Sequence, residues 1–72
     1  MKAKLIFDLP EDYHEYKMAN KANDMHSVLW DFNQWLRSKI KYHELSDEKY
    51  ETLQECGDKL YELLTDHQIE LQ

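Results

Sequence analysis

Residues that interrupt regular structure are scarce in this chain. Its 72 residues include one glycine, Gly57, one proline, Pro10, and one cysteine, Cys56. A single glycine excludes the glycine-rich loops that cradle phosphates in nucleotide-hydrolysing folds. A single cysteine excludes any disulfide within the chain, which agrees with a reducing compartment. No apolar run approaches the ~20 residues needed to span a bilayer, so no membrane partner is expected. The apolar part of KAKLIFDLP is short and interrupted by charge, unlike the central segment of a signal peptide. Basic residues are also in the minority: nine against fifteen acidic ones give a formal net charge of −6. Duplex nucleic acid, which selects a basic face, is therefore not an expected partner. A local basic pocket or an acidic docking face remains open.

What remains is one small domain spanning residues 1–72. A chain of this size buries about 60% of its unfolded surface as a monomer and is marginal alone. With no disulfide and no apparent metal cage, oligomerisation is the expected stabilising device, so a homo-oligomer is the first partner predicted. The four histidines, His14, His26, His43 and His67, have no paired ligand spacing and read as surface or capping groups. No metal or other cofactor is expected. No nucleophile elbow or singled-out carboxylate pair argues for catalysis, so the chain reads as a non-enzyme.

The pattern predicts a mainly α fold: a short N-terminal strand followed by a helical hairpin of two to three helices. Residues 2–9 alternate, with Ala3, Leu5, Phe7 and Leu9 on one side and Lys2, Lys4, Ile6 and Asp8 on the other, a strand signal ended by Pro10. Residues 11–43 read as helical, with a break near 20–24 left open and Asp24 a candidate cap. Within this region Met25, Val28, Leu29, Phe32, Leu36 and Ile40 recur at spacings of three and four, which marks a core stripe. Ser46 predicts a capped helix over 47–67. Its apolar line runs through Tyr50, Leu53, Cys56 or Gly57, Leu60, Leu63 and Leu64, and Cys56 reads as a buried thiol. Gly57 in mid-helix implies close approach of a neighbouring helix. Residues 68–72 read as a tail or a short strand. The lone N-terminal strand needs a partner, either this tail or the same strand of a second copy.

Two surfaces invite a functional reading. WDFNQWLRSKIKY, residues 30–42, concentrates aromatic and basic groups in an acidic chain. Trp30, Trp35 and Tyr42 are suited to stacking on a base. Arg37 offers a bidentate fork for phosphate, Lys39 and Lys41 offer point charges, and Asn33 and Ser38 add neutral hydrogen-bonding groups. The competing reading uses the same side chains in an oligomer interface, where tryptophan and arginine are enriched, together with Leu29, Phe32, Trp35 and Leu36. The second surface is the acidic stripe of the last helix, Glu48, Glu51, Glu55, Asp58, Glu62 and Asp66. It is an ordinary solvated face unless Glu51, Glu55 and Asp58 dock on a basic host protein in place of nucleic acid.

Quoted in order, KAKLIFDLP, YHEYKMA, WDFNQWLRSKIKY, LSDEKYETL and DKLYELL cover nearly the whole chain. In this series the sequence resembles a group of short bacteriophage accessory proteins. The resemblance implies a small phage accessory protein made in the cytoplasm of an infected bacterium. Proteins of that kind often oppose host defence by binding. The leading functional expectation is accordingly a non-enzymatic anti-defence protein that sequesters a cyclic or linear nucleotide signal in an oligomer pocket. The alternatives are an acidic inhibitor or DNA mimic of a host nucleic-acid enzyme, and an interaction or structural protein with no anti-defence role.

Overall fold

The computed structural model describes residues 1–71. Three helices follow in order: α1, Tyr13–Asn20; α2, Ala22–Tyr42; and α3, Asp47–Asp66. The mainly α expectation holds, and α3 packs on α2 as a hairpin. His43 to Ser46 make the turn, short enough to force antiparallel neighbours. Ser46 caps α3 as its sequence position predicts, its hydroxyl accepting from the Lys49 N–H at 3.4 Å. Asp47 and Glu48 then sit in the first turn, at the positive end of the helix dipole.

The open question at residues 20–24 is resolved by a break at one residue. Lys21 leaves helical geometry (φ −98°, ψ 2°), yet its N–H still donates to the Lys17 and Met18 carbonyls at 3.1 Å. Asp24 lies inside the first turn of α2 and does not cap it. Instead it pairs with Lys21 at 3.5 Å, an exposed ion pair of small worth.

No β-strand forms among the described residues, so the N-terminal strand expectation is not met within a single chain. The physical reason is the absence of a partner row. Phe7 packs edge-on against Tyr16 of α1 with ring centroids 5.7 Å apart, while Leu5 and Ile6 are 79% and 85% exposed. The end of the segment is anchored by a reciprocal bond. Asp12 N–H donates to the Asp8 carbonyl at 2.7 Å, and Asp8 N–H donates to Asp12 Oδ2 at 3.0 Å.

The tail does not pair with the N-terminal segment either. Ile69 N–H donates to the Leu64 carbonyl at 2.8 Å and Gln68 N–H to the Thr65 carbonyl at 3.1 Å. Gln68 sits in the left-handed region, φ 56°. This is a Schellman termination in which glutamine occupies the position glycine normally takes. The reversed chain then runs back toward α2, where His26 Nε2 donates to the Glu70 carbonyl at 2.9 Å. The closing residue of the tail, Gln72, lies outside the described residues.

The core is very small. Leu36, 2% exposed, is the one fully buried side chain among the described residues. It lies against Gly57, where an added Cβ would stand 3.7 Å from Leu36 Cδ2. The predicted close approach is therefore present, at ordinary van der Waals distance. Leu36, one of the side chains expected at an oligomer interface, is thus covered within the hairpin of a single chain. Cys56 is exposed, not buried. It stands about 100° around the helix from Gly57, and the inward position belongs to the glycine. The radius of gyration is 17.2 Å, against about 11 Å for a compact domain of this length. The accessible surface, 6892 Å², exceeds by about 2,000 Å² what a compact monomer of this mass presents.

Candidate functional site

At 100° per residue, α2 carries three faces. Leu29, Leu36 and Ile40 point toward α3, and all three are half-buried or buried. Trp35, Lys39 and Tyr42 lie on one flank. Trp30, Arg37 and Lys41 lie on the other, within about 40° of one another. The two tryptophans, five residues apart, project about 140° away from each other. A single chain therefore does not bring all the proposed ligand-binding groups to one place.

The first flank is organised. Phe32 and Trp35 stack with centroids 5.9 Å apart and planes inclined by 27°. The Lys39 ammonium stands 5.7 Å from the Trp35 ring centroid. Beyond it, the Lys41 ammonium stands 5.3 Å from the Tyr42 ring. Exposed cation–π contacts of this kind contribute about 0.5–1 kcal/mol each. Phe32 remains 48% exposed and Trp35 53%, which corrects the placement of Phe32 in the protomer core. The result is a shallow aromatic shelf whose Trp35 and Tyr42 rings each carry a lysine ammonium over them. Its chemistry suits a flat aromatic ring attached to an anion.

On the second flank Trp30, Arg37 and Lys41 are exposed. Ser38 is exposed as well, and its carbonyl lies 3.4 Å from His43 Nδ1, so His43 caps the end of α2 only loosely. Asn33 belongs to neither flank. It lines a concavity of ≈ 580 Å³ between α2, α3 and the folded-back tail, with Tyr61, Leu64, Ile69 and Leu71. The sequence pattern does not reveal this groove, because no glycine announces the reversal at Gln68. The only signal for it was His26, a polar group on the side of α2 that meets the tail.

The acidic stripe of α3 forms as its spacing requires. Glu48, Glu51, Glu55, Asp58, Glu62 and Asp66 fall within an arc of about 80°, opposite Leu53, Gly57 and Leu64. Glu51, Glu55 and Asp58 are exposed. Asp58 accepts from Gln54 Nε2 at 3.4 Å, and Lys59 offsets Glu62 at 3.4 Å. No described helix is long and apolar enough to cross a membrane. Comparison with protein-family models, with curated proteins and with solved structures returns no match.

Proposed function

We propose that this chain acts by binding, not catalysis: a self-associating helical protein that captures an anionic aromatic ligand of nucleotide type, in the setting of phage anti-defence. The observation that carries this reading is the solvent-facing pair of Phe32 and Trp35 with the Lys39 ammonium held over the Trp35 ring. A base stacks on Trp35 as the Lys39 ammonium swings off the ring to meet the phosphate beside it. The second flank, Trp30 with Arg37, completes the site from a neighbouring chain, and Lys41, its ammonium over Tyr42, stays with the first. Arg37 then supplies the bidentate phosphate fork. Self-association is favoured by the surplus surface, since about 2,000 Å² per chain is ample for a stable interface of ~800 Å² per partner.

The test is native mass spectrometry of untagged protein, followed by heat release and titration with cyclic and linear nucleotides. A bound nucleotide, lost on Arg37→Ala and on Trp35→Ala, supports the reading. A protein that stays empty across the panel overturns it.

A second reading rests on the unbroken acidic arc of α3. There Glu51, Glu55 and Asp58 would occupy a basic site on a host nucleic-acid enzyme. Reversing those three charges abolishes such docking and leaves nucleotide binding intact, while Arg37→Ala does the converse.

A further inference from the structure

The N-terminal segment is the part of the chain whose chemistry is least satisfied. Leu5 and Ile6 are almost fully exposed, and residues 2–7 have no backbone partner among the described residues. The tail is already engaged with α3 and His26, so it does not supply the missing row.

We propose that residues 3–9 pair antiparallel with the same residues of a second copy, Ile6 facing Ile6 across the two-fold axis. In that register Leu5 faces Phe7, Ala3 faces Leu9, and Lys4 faces Asp8 twice, once on each side of the axis. The segment is thus complementary to itself in charge and in apolar size. A slip of one residue interchanges the two faces of the segment. A slip of two sets Lys2 against Asp8 but leaves the apolar Ile6 opposite Lys4.

The structure also sets the phase of the ladder. Asp8 has its N–H and carbonyl committed to Asp12 of its own chain. In an antiparallel ladder alternate residues direct both backbone groups away from the partner. With Asp8 directed away, Lys4 and Ile6 are too, and Ala3, Leu5, Phe7 and Leu9 make the ladder bonds. Lys4 and Asp8 then form a non-hydrogen-bonded pair, the kind whose side chains approach most closely. A two-stranded ribbon alone is marginal. Here its odd-numbered face already begins on α1, where Phe7 meets Tyr16.

This surface is separate from the α2 flanks, and the test treats it separately. Sedimentation velocity of the full chain is run on the wild type, Lys4→Asp, Asp8→Lys, and a mixture of the two variants. The expected result is a wild-type dimer whose Kd rises about tenfold or more in each single variant, as two attractive pairs become repulsive. The mixture recovers a heterodimer, because one chain is then acidic at both positions 4 and 8 and its partner is basic at both. On a Cys56→Ser background, Ile6→Cys oxidises to a covalent dimer and Leu5→Cys does not, since only position 6 meets itself within disulfide reach. A wild-type monomer at about 100 μM overturns the proposal. So does an oligomer indifferent to both charge variants, or equal cross-linking at positions 5 and 6. An oligomer indifferent to these changes leaves the nucleotide reading standing, which the Arg37→Ala titration decides on its own.

Discussion

Replacing Gly57 with alanine should make the protein more stable. A glycine in mid-helix is commonly kept because a neighbouring backbone leaves no room for a Cβ. Here the nearest atom to an added Cβ is Leu36 Cδ2, at 3.7 Å. That is a favourable contact distance, and its neighbour is the end of a side chain with rotamer freedom. Nothing has to move. The gain has two sources: the helix propensity difference, up to ~1 kcal/mol, and the smaller entropy of the unfolded chain, part of the same preference. The methyl also adds a little cover to the one fully buried leucine. The expected change is about +0.5 to +1 kcal/mol. For a domain of this size it raises Tm by about 2–8 °C. The assay is urea unfolding followed by circular dichroism, at two protein concentrations so that association does not pass for intrinsic stability. A loss of stability, or no change at either concentration, refutes the reasoning. It would mean that α2 and α3 approach more closely than the 3.7 Å geometry allows, or that another chain occupies the space beside Gly57.

Three further perturbations follow from the same geometry. Gln68→Gly relieves a left-handed backbone position and should stabilise by about 0.5–1 kcal/mol; a thermal melt with an unchanged or lower Tm rejects the strain argument. His26→Ala removes the bond that ties the tail to α2 and should cost about 0.5–1.5 kcal/mol, with faster amide exchange at Ile69–Leu71; unchanged exchange shows that the Schellman turn alone holds the tail. Phe32→Ala should cost about 1 kcal/mol in a half-exposed setting, and about 3–5 kcal/mol where assembly buries the ring. The unfolding free energy at high and low concentration tells these apart, and a full core penalty in the dilute monomer contradicts the exposed shelf.

The helices were legible wherever the pattern was local. Ser46 with the acidic turn behind it marks the start of α3, and the three-four spacing from Met25 to Ile40 marks α2, although only Leu29, Leu36 and Ile40 of that stripe turn inward while Met25, Val28 and Phe32 stay exposed. Features that depend on distant contacts were not legible. Alternation at residues 2–9 reports a capacity to pair, and a single chain supplies nothing to pair with. The choice between Cys56 and Gly57 for the inward position turns on how closely α3 approaches Leu36, which periodicity does not encode. The turn at Gln68 lacks the glycine that usually reveals it. In the candidate site, the aromatic and basic composition of residues 30–42 was plain. Its division into two flanks was implicit in the five-residue spacing of Trp30 and Trp35, which a helix turns into about 140°.

The four-residue turn between α2 and α3 has a kinetic consequence. A hairpin of helices held by local contacts belongs to the topologies that fold in microseconds to milliseconds. Two proteins at about 1 μM meet productively only about 0.1–10 times per second. Each chain has therefore formed its helices long before it encounters anything else. Any partner meets a finished hairpin with its aromatic shelf and its acidic arc already displayed. Association should follow simple second-order kinetics, with a rate set by surface charge and ionic strength.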